Sequence, residues 1–322
     1  MDFEDRVLFS VFQLPVTGYA VCVALAAACG LGLFFFLGNR NKLSSDALWR
    51  TALLALPLGL LGARLFYCIA RLSLYQEIGL EVMLYLWEGG YALWGAVGGV
   101  ALAAVIAAKS CGRSAAPLLD TLAAPGALAI ALARFAEYFS GEGRGLEVEE
   151  PFFQRFPFAV YDVNWEEWKW AVFILEGLTA LAIMAALLRK KRKAGDTARL
   201  FLLLYSTCQI LLESLRRDSY LRWLFVKVSQ LTAAAVIVLL MAAAVVRWAR
   251  RKKDRLMTVQ GLLIRWLAVA AGIGMIIALE FAADDKIWHD LPIWGIYGLM
   301  ACACLVIGVS AYQTVFRSLK TE

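Results

Sequence analysis

Ala131 to Gly145 reads ALARFAEYFSGEGRG, and the rest of the chain is read from it. The stretch ends an apolar run, yet it carries Arg134 and Glu137. Their spacing puts both on one face of a helix, one turn apart. Ser140, Gly141, Glu142, Gly143, Arg144 and Gly145 follow at once, a charged, glycine-punctuated exit where a helix leaves a bilayer. Charges inside membrane segments are expensive and mark functional positions by default.

Outward from this stretch the chain is strongly apolar. Its 322 residues are 61% hydrophobic and 18% charged, with a mean hydropathy of +0.68. A soluble domain cannot hide that much apolar surface. The apolar runs are continuous rather than alternating, and of about the 20 residues a spanning helix needs, so helices are expected and a barrel is not. The fold class is therefore all-α, a polytopic membrane helix bundle. The net charge of +6 gathers in short clusters beside apolar runs. Such clusters are orientation signals, not a nucleic-acid surface. Seven cysteines make no CxxC pair and read as small buried hydrophobes. His289 is the one histidine, which excludes a His-rich metal site. No metal and no cofactor are expected. The acidic opening MDFEDRVLFSVFQLP lacks the basic start of a secretory signal, so the first apolar run is read as a permanent helix.

The pattern predicts nine membrane helices. They are expected at about 16–37, 47–70, 88–109, 115–139, 168–188, 199–215, 225–248, 261–281 and 292–315. Every second connection is basic: Arg40 and Lys42; Lys109 and Arg113; Arg189 to Lys193; Arg247 to Arg255; Arg317 and Lys320. The others carry Asp2, Glu4 and Asp5; Glu77 and Glu81; Glu142, Glu147, Glu149 and Glu150; Asp284 and Asp285. Basic connections favour the cytoplasm, so the N-terminus is expected outside and the C-terminus inside. Residues 140–167 carry Phe152, Phe153, Phe156, Phe158, Tyr161 and Trp165 and are expected to lie along the outer interface. Arg216, Arg217 and Arg222 also fall outside, against the charge rule. An anionic lipid headgroup would hold them, since a guanidinium fork matches a phosphate.

Four features share one membrane depth. They are Arg64 in LGARLFY; Glu88, Gly89, Gly90, Trp94, Gly95, Gly98 and Gly99; Arg134, Glu137 and Glu142; and Glu213 with Arg216. Each also has a purely structural reading. Arg64 would pair with an acidic helix residue such as Glu176. The glycines would serve helix packing rather than an acyl chain. Arg134 and Glu137 would be a local ion pair, and Arg216 would snorkel to headgroups.

Taken together, these segments resemble the prolipoprotein diacylglyceryl transferase family over about residues 10–248, seven of the nine helices. GARLFY is similar to that family's second-helix motif. WEGGYALWGAVGG is similar to its W-x-G-G-(M/L)-x-x-H-G-G-x-x-G, and ARFAEYFSGEGRG to its G-R-x-G-N-F-x-N-G-E-x-x-G. YSTCQILLESLRRD resembles its Y-G-x-x-R-F-x-x-E-x-x-R, ILEGL its L-Y-E, and VSQL, with Gln230, its M-G-Q. Arg134, Gly141, Glu142, Gly145, Glu213 and Arg216 match these patterns. Trp94 stands at the family's His, Glu137 at its Asn, Gln209 at an Arg, and Leu175 at a Tyr.

The resemblance implies transfer of a diacylglyceryl group from phosphatidylglycerol to the lipobox cysteine of a prolipoprotein signal peptide. The setting would be the bacterial cytoplasmic membrane. Arg134, Glu142 and Arg216 would act in catalysis. Arg64, Gly89, Gly90, Trp94, Gly95, Glu137, Gly141, Gly145, Gln209 and Glu213 would shape substrate binding. The expected partners are phosphatidylglycerol, signal peptides and membrane lipids, with no nucleic acid. The departures leave a second reading, a homologue that binds phosphatidylglycerol or signal peptides without turnover. A small transporter is a third, though no internal repeat supports it. Residues 1–250 are expected to form the core, and 251–322 two additional helices. Those helices show no chemistry; Glu280, near a helix end, is the acidic residue in that apolar stretch.

Overall fold

The computed structural model describes residues 7–11, 14–218, 221–223, 226–250, 259–283 and 292–317. Asp2, Glu4, Asp5, Arg251, Lys252, Lys253, Arg255, Asp284, Asp285, His289 and Lys320 lie outside the described residues.

A hairpin of β1 (Val7–Val11) and β2 (Leu14–Thr17) leads into α1 (Gly18–Arg40). Next come α2 (Ser45–Ala70), the short α3 (Leu72–Ile78), two 3-10 turns, α4 (Leu93–Ser110) and α5 (Ala116–Ser140). Three strands follow: β3 (Arg144–Glu147), β4 (Ala159–Asp162) and β5 (Glu167–Ala171). The chain continues through α6 (Val172–Leu188), α7 (Asp196–Leu215), the strand pair β6 (Arg222–Trp223) and β7 (Val226–Lys227), then α8 (Val228–Arg250), α9 (Val259–Ala283) and α10 (Ile293–Arg317).

Among the described residues, eight helices are long and apolar enough to cross a membrane: α1, α2, α4, α5, α7, α8, α9 and α10. The apolar α6 has 17 residues. These nine are the helices read from the sequence, and the chain is a multi-pass membrane protein. Two starts move. The third helix begins at Leu93 rather than Glu88, because Gly89 (φ +77°) and Gly90 (φ +73°) hold a left-handed backbone that an α-helix cannot pass through. The fifth begins at Val172, because Trp168 to Ala171 pair in β5. Thr17 and Ser44 cap α1 and α2 through their hydroxyls. Pro57 and Pro125 sit inside α2 and α5.

The chain divides into two compact units, residues 1–201 with 216–228, and residues 202–215 with 229–322. In the first, α2 and α4 meet backbone to backbone. A Cβ at Gly95 would collide with Gly62 O, and one at Gly99 with Leu58 O. The space at Gly95 and Gly99 is thus filled by α2, while Gly98 faces open space. Close approach of this kind lets dispersion hold membrane helices together. Gly99→Ala is expected to cost about 1–3 kcal/mol by overpacking, read as a lower thermal unfolding midpoint in detergent.

Segment 140–171 is more ordered than an interfacial run. β3, β5 and β4 form an antiparallel sheet in that order. Asp162 on β4 pairs with Arg144 of β3 (2.9 Å) and Lys169 of β5 (3.1 Å). Burial pushes the Asp162 carboxyl up, but these two cations outweigh it and hold it below the usual range. Phe152, Phe156 and Trp165 remain exposed. The second unit joins α7 from Leu202 to α8, α9 and α10. Leu279, Ala282, Ile296 and Met300 pack there with Leu211 of α7.

Candidate functional site

The C-terminal turn of α5 places Arg134 and Glu137 on one face, and Gly141 ends the helix in a left-handed conformation (φ +72°). Glu176 sits one turn into α6, and Arg216 is the first residue beyond α7. These four side chains and Asp218 meet in one buried cluster. Arg134 donates to Glu137 and lies 3.4 Å from Glu176 Oε2 through Nε. Arg216 Nη1 reaches Glu176 Oε2 at 2.9 Å and Glu137 Oε2 at 3.3 Å. Its other edge forks onto Asp218, with Nε to Oδ1 at 3.0 Å and Nη2 to Oδ2 at 2.6 Å. Lys227 Nζ donates to Arg216 O at 2.6 Å.

The loop after Gly141 closes over this cluster. Gly143 N donates to Asp218 Oδ2 at 2.8 Å, and Gly143 O accepts from Phe173 N at 3.0 Å. Gly143 has φ +70°, and a Cβ there would strike Glu137 Oε2 and Phe173 Cβ. The glycine is therefore required twice, for backbone sign and for space. Arg217 N donates to Arg144 O at 2.8 Å, and Gly145 is buried on β3.

The electrostatics follow from burial. The side chains of Arg216, Glu176 and Glu137 are 5%, 2% and 6% exposed. Ions so far from water need partners, and removing one strands the others. Burial lowers the Arg216 guanidinium, but Glu137, Glu176 and Asp218 outweigh it, so Arg216 stays charged. Burial likewise pushes Asp218 up. The fork and charge of Arg216, with the Gly143 N–H and Lys227, win and hold it low. Glu142 goes the other way. Burial and the charge of Glu137 push its carboxyl up to about 7, against the pull of Arg216 and Arg134. Among the described residues, no hydrogen bond or ion pair holds that carboxylate. It is a group poised to exchange a proton near neutral pH.

The sequence-selected residues thus separate into groups. Arg134, Glu137, Glu142 and Arg216 come together, shaped by Gly141 and Gly145. Arg64 belongs to a second group. It does not pair with Glu176, whose partners are Arg134 and Arg216. It is buried and donates to Met83 O (3.2 Å), Val82 O (3.0 Å), Gly89 O and Gly90 O (3.5 Å). The cation holds the turn that launches α4, where Trp94 is buried and Gly95 packs on α2. Gly90 is needed there because a Cβ would meet the Tyr67 ring. Within the second unit, Gln209 Nε2 donates to Glu213 Oε2 at 2.8 Å. Glu176, Asp218 and Lys227 were missed as site residues. Asp218 lies only two positions after Arg216, in RRD, which is the one sequence signal that pointed to it.

The family model for prolipoprotein diacylglyceryl transferase matches residues 6–247. The chain is 28% identical over 257 residues to the phosphatidylglycerol–prolipoprotein diacylglyceryl transferase of Streptococcus suis, covering 78% of this chain and 94% of that protein. It is 26% identical over 234 residues to the enzyme of that name from Bacillus licheniformis, covering 70% and 86%. Against the one from Clostridium novyi it is 27% identical over 220 residues, covering 67% and 85%. The family match takes in every residue of the buried cluster and stops before α9. The chain belongs to the prolipoprotein diacylglyceryl transferase family.

Proposed function

We propose that this protein transfers the diacylglyceryl group of phosphatidylglycerol to the lipobox cysteine thiol of prolipoproteins, at a site opening to the outer face of the bacterial cytoplasmic membrane. The observation that carries the reading is the buried Arg134–Glu137–Glu176–Arg216–Asp218 cluster, with the proton-exchanging Glu142 beside it, inside the family match. The reaction forms a C–S bond at the glyceryl carbon and breaks that carbon's C–O bond to phosphate. Glycerol phosphate leaves. The thiol, with a free pKa near 8.5, must lose its proton, and Glu142 is the group to take it. The departing phosphate gains charge, and the guanidinium edges of Arg134 and Arg216 are the donors to meet it. An indole cannot accept a proton, so Trp94 does no acid–base work. The core of residues 1–250 carries this chemistry, and the N-terminus lies outside.

One observation favours the second reading, a non-turning lipid-binding homologue. Both arginines are already engaged by carboxylates, so an arriving phosphate must displace Glu137, Glu176 or Asp218 from them. Complementation separates the two readings. Cells depleted of their own transferase should be rescued by this protein and not by Arg134→Ala. Absence of rescue by correctly inserted wild-type protein would sink the transferase reading. Retained phosphatidylglycerol binding, lost in Arg134→Ala or Arg216→Ala, would then establish the second.

A further inference from the structure

Helices α9 and α10 lie beyond the family match, yet one of them sends a carboxylate into the helices that match. Glu280 Oε1, on α9, accepts from Ser214 Oγ of α7 at 3.0 Å and from Gln230 Nε2 of α8 at 2.6 Å. Gln230 Nε2 also donates to Ser214 Oγ at 2.8 Å and to Ile210 O at 3.2 Å. Ser214 and Gln230 are 5% and 6% exposed. Among the described residues no cation pairs with Glu280, and Gln230 Oε1 has no hydrogen-bond partner. A polar side chain in an apolar helix is costly, and hydrogen bonds are what offset it. Here those bonds tie three helices together at one point.

The back of α7 is covered in the same way from Thr207 to Ser214. Thr207, Leu211 and Ser214 fall on one stripe at helical spacing, while Gln209 and Glu213 fall on the opposite side. Leu211 packs into the α9–α10 core, and an ideal Cβ at Gly308 of α10 falls 3.8 Å from Thr207 Cβ. The face carrying the motif residues is thus backed by the added helices. Leu215 ends α7, and Arg216 is the next residue in the chain.

We propose that the C-terminal helix pair braces α7 from behind, and that Glu280 is a positioning residue which, through Ser214 and Gln230, fixes the α7 turn leading into Glu213 and Arg216. This rests on the transferase reading for its effect on turnover, and on nothing but the brace for its effect on α7. The test uses the full chain in nanodiscs containing phosphatidylglycerol, with a lipobox peptide as acceptor. Glu280→Ala is expected to lower kcat about tenfold or more with KM for the lipid within about twofold, as small misplacement does. Backbone amides of 211–215 should exchange with deuterium about tenfold faster. Glu280→Gln keeps an acceptor oxygen and should restore most of both. A Thr207→Cys/Gly308→Cys pair, with Cys208 and Cys304 changed to alanine, should close a disulfide on oxidation, since its Cβ separation suits one. It should still close with Glu280→Ala, showing that α10 remains in place.

An active wild type with Glu280→Ala equally fast would overturn the proposal. So would failure of the cysteine pair to close. An inactive wild type would overturn the transferase reading instead. Exchange at 211–215 would then decide the brace, and unchanged exchange would overturn it. Where Glu280→Ala fails to fold, Ser214→Ala carries the same exchange measurement, and wild-type rates there would equally overturn the brace.

Discussion

Arg216→Ala should reduce transfer from phosphatidylglycerol to a lipobox peptide by about a hundredfold to a thousandfold, the usual loss when one donor to developing charge is removed. It should also destabilise the protein by about 3–5 kcal/mol, because it strands buried carboxylates. Arg216 touches three acidic partners, with Glu176 Oε2 at 2.9 Å, Glu137 Oε2 at 3.3 Å and Asp218 Oδ2 at 2.6 Å. Arg134 reaches Glu137 and Glu176. Removing Arg216 therefore leaves three carboxylates short of a cation. Arg216→Lys keeps the charge but not the fork. One ammonium cannot grip both Asp218 oxygens and Glu176 at once, so it should recover part of the stability and little of the turnover. Arg216→Met combined with Glu176→Gln and Asp218→Asn removes the stranded charges as well and leaves the Arg134–Glu137 pair intact. That variant should regain stability and stay inactive, since buried ion groups exchange for neutral ones at small cost. Thermal unfolding in detergent, with glycerol phosphate release as the rate, checks both. If the triple variant were as unstable as Arg216→Ala, the charge argument would be wrong. If Arg216→Ala turned over normally, so would its place in catalysis.

The bundle was legible because long apolar runs in lipid have one economical solution, the helix, and nine of them stood clear in the sequence. Helix starts were less legible where backbone sign decides. Nothing in the composition of Glu88 to Ala92 says that Gly89 and Gly90 take positive φ, and that Arg64 holds the turn. Arg64 itself was read toward a carboxylate because sequence shows charges and hides carbonyls. Four backbone oxygens satisfy it instead. The same blindness concealed the small sheet, since its aromatics fit an interface equally well as a run or as strands. In the site, the Arg134–Glu137 pair was legible from helical spacing alone. Its linkage to Glu176, Arg216 and Asp218 was not, because two further segments supply those groups and no periodicity links them. Glu280 was the hardest case, a lone carboxylate near the end of an apolar helix. Its meaning comes only from what α7 and α8 offer it.

Glu142→Gln should move activity and stability in opposite directions. The Glu142 carboxyl is held at about 7 against an ordinary 4.5, mainly by burial and next by the charge of Glu137. The folded protein therefore binds that proton more tightly than the unfolded chain does. Between pH 4.5 and about 7 the folded state carries more protons, so stability falls as pH rises through that window and stays low above it. The full difference is about 3 kcal/mol. A glutamine has no proton to lose. At pH 8 the variant should be more stable than wild type by up to that amount, and at pH 4.5 the two should match. Turnover should run the other way. A base must be ionised, so the wild-type rate should climb with pH and level off above about 7, and the variant should lose about a hundredfold to ten-thousandfold together with that limb. The chain has a single histidine, His289, beyond the matched stretch, so no imidazole of the matched region can supply a limb at that pH. Unfolding midpoints and initial rates, each followed from pH 4.5 to 8.5 for both proteins, decide the matter. A limb that survives in the variant would assign proton removal elsewhere. A variant no more stable than wild type at pH 8 would mean that Glu142 is not held neutral by its surroundings, and its role as base would fall with that.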